Sequence, residues 1–329
     1  MIAYEQEAER LRHRLRNAKR ILLTLTNGLD GDSIGSLVAM GHALDQMKLS
    51  WFAYVPEDVP DMFSYLVHKR RIMRDMEATV HEYDLIILFD TGDVKRTPLV
   101  EHLIQRDPKK TTVVNIDHHH TTTKFSGVEA VDLNIVDTGA AATTEMMYHL
   151  FDHLKIRFSH QVATSLLTGL LTDTGHFSNP ATTTGALDVA AKLMAKGADH
   201  RTITLATMRN KSVATLKLWG RALSRLAYNP SSGIVSTVIT LQDLAECEAD
   251  ADATTGIANF LNTLSDGKVA LVLQEEPNGI VKGSLRTTSD VNVAELAQKF
   301  HGGGHPKAAG FKVKGKLVHT GLGWHVEKE

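Results

Sequence analysis

The chain has 329 residues, enough for two compact domains, and its 43% hydrophobic and 22% charged residues exclude disorder as the main state. Its 36 basic residues face 38 acidic ones, a formal charge of −2, so a strongly cationic coat for long duplex nucleic acid is excluded and a polyanionic ligand needs a local site. The single Cys247 excludes disulfide frameworks and multi-cysteine metal sites, and no apolar run approaches the ~20 residues of a bilayer span.

Residues 3–20 carry charge on most sides with Leu at intervals, which predicts an amphipathic helix. The segment is too polar for a secretory signal, so a soluble protein in the cytoplasm is the expectation. Short apolar runs at 21–25, 85–89 and 112–116, separated by helical stretches, predict buried parallel strands of an α/β sheet. Each run delivers acids at its carboxyl end: Asp30 and Asp32, Asp90 and Asp93, and Asp117. Ligands of open α/β sheets sit at that edge. Residues 161–171 predict an apolar helix running into Thr172-Asp173-Thr174-Gly175, and 186–196 another, stopped by Gly197. Residues 202–228 are helical in pattern and lead into Asn229-Pro230-Ser231-Ser232-Gly233, which reads as a boundary. Beyond it, 234–240, 269–274 and 279–285 read as strands and 293–300 as a helix, followed by a glycine run. The expected fold class is α/β: a parallel-sheet amino-terminal domain over 1–200, a helical linker over 201–232, and a smaller α/β carboxyl domain over 233–329.

Asp30-Gly31-Asp32 stands on a turn ahead of a helix, where two carboxylates can reach neighbouring hard cations such as Mg²⁺ or Mn²⁺. The same residues suit a turn with an N-cap. Asp90 emerges directly from a buried strand, which is costly unless it is paired with a cation or well hydrogen-bonded; a helix cap is the alternative. Asp117-His118-His119-His120 is sharper, since imidazole both binds metals and transfers protons. Asp173 follows an apolar segment as the other acids do. Each turn alone has a structural explanation. Together they point to a carboxylate-rich site for two metal ions. Gly302-Gly303-Gly304-His305, with Lys307 and Arg286 nearby, suits a phosphate: unobstructed backbone N–H groups beside cationic side chains.

In this order the motifs resemble the DHH phosphoesterases with a DHH-associated carboxyl-terminal domain. LDGDSIGS is similar to the first motif of that family, FDTGD to the second, NIDHHHTTTKF to the third and LLTDTGHF to the fourth. The SLR…FHGGGHPKAAGF segment resembles the substrate-binding signature of the associated domain. The resemblance implies Asp30, Asp32, Asp90, His118 and Asp173 as metal ligands, with Asp90 bridging two Mn²⁺ ions, or Mg²⁺ or Co²⁺ in their place. It implies His119 facing the phosphate, with Asp117 orienting the adjacent histidine, and Arg286, Gly303, Gly304 and His305 holding the nucleotide. The implied activity is hydrolysis of short oligoribonucleotides, 3′-phosphoadenosine 5′-phosphate, or both. Linear or cyclic di-adenylates are the alternative substrates, and the oligomeric state, homodimer included, stays open. One departure matters: Thr26 stands where the family usually places a histidine ligand, which would weaken the first metal site or leave a nucleotide-binding protein of low activity. His42 and His176 are the nearest substitutes the sequence offers.

Overall fold

The structure, a computed structural model, describes residues 2–67, 72–73, 83–208, 211–321 and 323–327. The chain divides into two compact units, Met1–Asn210 and Lys211–Glu329.

The first unit opens with α1 (Glu5–Asn17), whose Ala8, Leu11 and Leu15 are buried while its charges face out. Then come β1 (Ile21–Thr24), α2 (Gly31–Gln46), β2 (Trp51–Tyr54), β3 (Ile72–Met73), β4 (Leu85–Phe89), α3 (Val100–Gln105) and β5 (Thr112–Asp117). A small hairpin, β6 (Lys124–Phe125) and β7 (Val128–Glu129), precedes β8 (Leu133–Val136) and four helices. These are α4 (Thr143–Leu154), α5 (His160–Asp173), α6 (Thr184–Ala195) and α7 (His200–Met208). The sheet order is β3-β2-β1-β4-β5-β8, and every pairing is parallel.

The unbroken apolar runs are explained by burial on both faces. Leu85, Ile87 and Phe89 of β4 pack into the core shared with α1, α2, α4 and α5, whereas Ile86 and Leu88 pack with Val100 and Leu103 of α3. The chain leaves β1 for β2 and β3 on one side and returns through β4 on the other. The carboxyl ends of β1 and β4 therefore flank the switch point where such sheets bind ligands. Helices α2 and α5 cross above that edge at very short range. A Cβ on Gly31 would lie 2.3 Å from Thr172 Oγ1, and one on Gly35 would lie 2.5 Å from the Ser165 carbonyl oxygen. Only glycine permits that approach, and it brings the start of α2 against the end of α5.

The second unit starts with α8 (Val213–Ser224) and builds one six-stranded sheet. Its elements are β9 (Ala227–Asn229), β10 (Ile234–Ile239), α9 (Leu241–Glu246), α10 (Ile257–Leu261), β11 (Val269–Glu276), β12 (Ile280–Arg286), α11 (Val293–Gln298), β13 (Gly303–His305) and β14 (Ala308–Lys314). A hairpin of β15 (Lys316–Thr320) and β16 (Gly323–Glu327) completes it. The sheet order is β13-β14-β12-β11-β10-β9, with β10 and β11 parallel and the other pairs antiparallel.

Two stretches take a different form from the sequence reading. Residues 229–233 make the turn of the β9–β10 hairpin: Asn229 Oδ1 accepts from the Ser231 and Ser232 amides, and Gly233 has φ 69°. Turn chemistry and linker chemistry use the same residues, so composition alone does not separate them. The helical stretch of 202–228 is likewise two helices, α7 in the first unit and α8 in the second, with Tyr228 already in β9. Among the described residues no helix is long and apolar enough to cross a membrane.

Candidate metal centre

The parallel strands place the acids of β1, β4 and β5 at one edge. Asp30 is the N-cap of α2: its Oδ1 accepts from the amides of Asp32 at 3.1 Å and Ser33 at 2.9 Å, and Ser33 Oγ in turn accepts from the Asp30 amide. Asp32, in the first turn of α2, is buried and directed at α4. Its Oδ2 accepts from the Thr143 amide at 2.6 Å, and its Oδ1 from the Thr144 amide at 2.9 Å and hydroxyl at 2.6 Å. Helix α4 lacks a side-chain cap of its own at Ala142, so Asp32 serves the open N–H groups at its start.

Asp90 follows β4 with φ 54°, a left-handed conformation that is uncommon outside glycine and is found where function holds it. Its Oδ1 lies 3.3 Å from His119 Nδ1 and 3.8 Å from His118 Nε2, and it accepts from Thr143 Oγ1 at 3.3 Å. Asp117, at the end of β5, is wholly buried, and its Oδ1 accepts from both the amide and Nδ1 of His119, at 3.0 and 2.9 Å. Asp173, the last residue of α5, brings Oδ2 to 3.4 Å from His118 Nε2.

Charge crowding shows in the proton affinities. Burial, then the charge of Asp90, pushes Asp30 up to about 6 and Asp173 up to about 7, and raises Asp32 well above the usual carboxylate range. Asp90 is the exception. Burial acts upward there too, but the hydrogen bond and charge of His119, the charge of His118 and the Thr143 hydroxyl hold it low. His119 is its counterpart: burial works against its charge, yet the bonds to Asp117 and Asp90 push it up to about 10. His118 goes the other way, lowered by burial and by the neighbouring His119 charge.

The neutral His118 ring supplies a direct test of fit for a metal. Its Nδ1 is bonded to the Ala140 carbonyl at 3.2 Å, which fixes the proton on that nitrogen. Nε2 then carries a lone pair, is buried, and has no hydrogen-bond partner among the described residues. An unshielded imidazole lone pair aimed at carboxylates is what a cation requires. Two overlapping groups, Asp90-His118-His119 and Asp32-His118-Asp173, hold their donor atoms within 4.8 Å of one another and can each hold a metal ion. Hard oxygens with imidazole suit a first-row divalent ion.

The structure thus gathers Asp32, Asp90, Asp117, His118, His119 and Asp173, with Asp30 coupled to Asp90 beside them. His42 and His176 do not join: His42 lines an apolar cavity of about 280 Å³ with Leu37, Val38 and Trp51, and His176 bonds Thr207 at 3.0 Å. Thr26 is buried at the end of β1. Sequence reasoning missed Thr143, Thr144 and Gly169. A Cβ on Gly169 would lie 2.6 Å from Asp32 Oδ1. The readable signal was a helix starting at Ala142 with no capping residue, which needs a cap from elsewhere.

In the second unit, Arg286 ends β12, and its Nε donates to Asn259 Oδ1 at 2.8 Å. Gly303, Gly304 and His305 form an edge strand, β13, rather than the open loop expected of a glycine run. Pairing with β14 demands the glycines: a Cβ on Gly302 would meet the Gly310 carbonyl oxygen at 2.2 Å, and one on Gly304 would meet that of Ala308 at 2.6 Å. Lys307, in the two-residue turn to β14, donates to the Ser289 carbonyl.

Comparison with known proteins agrees with this architecture. The DHH family N-terminal domain matches residues 20–170, and the DHHA1 domain matches 231–320. A bifunctional oligoribonuclease and PAP phosphatase NrnA of Thermus thermophilus is 32% identical over 87% of this chain and 82% of its own length. The cyclic-di-AMP phosphodiesterase GdpP of Geobacillus thermodenitrificans is 31% identical over 69% of this chain but only 32% of its own. The fold is shared with an exopolyphosphatase-related protein of Bacteroides fragilis, at TM-score 0.86 and 23% identity over 95% of this chain and 92% of that one. With both domains matched in order and the acids and histidines of the first gathered at one sheet edge, the chain belongs to the DHH family of phosphoesterases.

Proposed function

We propose that the chain is a metal-dependent phosphoesterase, with manganese as the working ion, that hydrolyses short oligoribonucleotides, 3′-phosphoadenosine 5′-phosphate, or both. The observation that carries the reading is the lone pair of His118 Nε2, buried without a hydrogen-bond partner and 3.4–3.8 Å from Asp173 and Asp90. Similarity to the Thermus enzyme, along most of both chains, supports the substrate class.

Asp30, Asp32, Asp90, His118 and Asp173 would hold the metal, with His119 at its margin. When bound, divalent cations there lower the pKa of a water and neutralise phosphate charge. The residues of the chain do the rest. Asp32, fixed by the two amides of α4, holds its carboxylate in one orientation. His119, kept protonated by Asp117 and Asp90, presents a cation to the phosphate and can give a proton to the leaving ribose oxygen. Asp117 never leaves the ring: it is wholly buried and bonds both the amide and Nδ1. Arg286, Gly303, Gly304 and His305 hold the nucleotide in this reading.

The test is a substrate panel with added Mn²⁺: pApA, a short RNA, 3′-phosphoadenosine 5′-phosphate and a cyclic dinucleotide, resolved by chromatography. Turnover of the short RNA and 3′-phosphoadenosine 5′-phosphate ahead of pApA and the cyclic dinucleotide supports the proposal. Preference for the cyclic or linear di-adenylate favours the second reading, which the similarity to GdpP motivates. Nucleotide binding without turnover under Mn²⁺, Mg²⁺ or Co²⁺ refutes both and leaves the weakened site that Thr26 motivates.

A further inference from the structure

Arg286 sits in a cross-strand row that the register defines. It pairs with Ala308 of β14, and Ala308 pairs with His305 of β13. Residues paired in this way project from one face. Arg286 and His305 therefore flank Ala308, roughly 10 Å apart at ~4.8 Å per strand. The opposite face is apolar and filled: Leu285, Ala309 and Phe311 pack with Val293, Ala294 and Ala297 of α11. The row itself has a floor of one methyl group between a guanidinium and an imidazole side chain.

The guanidinium is not loose over that floor. Nε donates to Asn259 Oδ1 at 2.8 Å, and Nη1 donates to the Leu285 carbonyl at 2.9 Å. Three N–H groups of the fork remain, one on Nη1 and two on Nη2, and these two nitrogens can meet a phosphate end-on. The side-on edge is closed by Asn259. Helix α10 holds Asn259 in place: Ile257, Ala258 and Leu261 are buried, and the Trp219 ring lies 3.5 Å from a Cβ built on Gly256.

We propose that Asn259 is a positioning residue for substrate binding: it turns the Arg286 guanidinium end-on to a phosphate seated over Ala308. The proposal rests on the reading that Arg286 binds the nucleotide, and it adds a residue outside every motif that carried that reading. A side chain that acts only through Arg286 has no effect once Arg286 is gone.

A double-mutant cycle on the full chain tests this. AMP binding is measured by calorimetry in EDTA, and KM and kcat for pApA are measured separately with Mn²⁺. Asn259→Ala is expected to weaken AMP about 10-fold and Arg286→Ala about 100-fold, typical of bonds to a charged group. The double variant is expected to match Arg286→Ala, with KM raised and kcat and Tm of Asn259→Ala near wild type. The isosteric Asn259→Asp keeps the acceptor but sets a carboxylate against the guanidinium, and is expected to weaken AMP at least as much. Wild-type affinity in either Asn259 variant, or additive losses of about 1,000-fold in the double variant, overturns the proposal while leaving the role of Arg286 intact. Unchanged AMP affinity in Arg286→Ala removes Arg286 from the site, and Asn259 with it.

Discussion

Gly169 is the position where the fold and the metal site are most tightly linked. It lies inside α5, where glycine ordinarily costs about 0.5–1 kcal/mol against alanine, so Gly169→Ala should stabilise a free-standing helix. Here the added Cβ would fall 2.4 Å from Thr144 Cγ2 and 2.6 Å from both Thr144 Oγ1 and Asp32 Oδ1. Carbon atoms rest at about 3.5–4.0 Å, so the overlap exceeds about 1 Å and a helix must move. Overpacking of that kind costs about 1–3 kcal/mol. Movement of Thr144 also breaks the 2.6 Å hydroxyl bond to the Asp32 carboxylate, a charge-assisted bond worth about 1.5–3 kcal/mol. Less the propensity gain, the net loss is about 2–5 kcal/mol, or roughly 4–20 °C in Tm for a unit of this size. Calorimetry of the metal-free protein reads the Tm, and titration with Mn²⁺ reads the displaced Asp32 as weaker binding. Gly220→Ala in α8 is the control, because its Cβ meets nothing within 4 Å, and it should raise Tm slightly. If Gly169→Ala is as stable as wild type, or behaves like Gly220→Ala, the close crossing of α2, α4 and α5 does not hold Asp32 and the reasoning fails.

Asp90→Ala and His118→Ala are each expected to abolish Mn²⁺-dependent hydrolysis with circular dichroism unchanged; full turnover in both variants would remove these residues from the chemistry. Thr26→His sets an imidazole at the end of β1 where a hydroxyl is the poorer ligand, and is expected to tighten metal binding about 10-fold by calorimetry. Two tight sites in the unaltered protein would contradict the idea that Thr26 weakens one.

The sheet edge was legible because short buried runs lead to acids: β5 closes on Asp117, Asp90 follows β4 directly and Asp30 lies one loop beyond β1, and a buried strand leaves no other place for an ionised side chain. Asp173 was legible for the same reason at the end of an apolar helix. What the sequence hides is anything fixed by distant contacts. Thr143 and Thr144 look like ordinary helix residues, and their amides matter only because the glycines of α2 and α5 let Asp32 reach them. The glycine run of β13 looked like a loop because sequence does not tell a glycine needed for φ from one needed for close pairing, and here the neighbouring strand decides. Asn259 carries no motif at all.

The acids also oppose each other, and that opposition makes the metal part of the stability of the fold. Asp30 and Asp173 rise from 3.8 to about 6 and about 7 because burial and the Asp90 charge penalise their ionised forms. A carboxyl with a raised folded-state pKa binds its proton more tightly in the native chain, so its ionisation works against folding as pH climbs from about 4 through 7. Metal-free protein should therefore lose stability on this account between about pH 4 and pH 7, and a divalent cation, which replaces the protons, should restore it. The Tm increment from Mn²⁺ is expected to be larger at about pH 8 than at about pH 5. Asp173→Asn isolates the effect from other titrating groups, since it removes one charge at constant shape. Without metal it should melt above wild type at both pH values and by clearly more at the higher, and with Mn²⁺ the order should reverse. Equal melting of the two proteins at both pH values would mean that the carboxylates do not repel one another, and the site would then have no need of a cation.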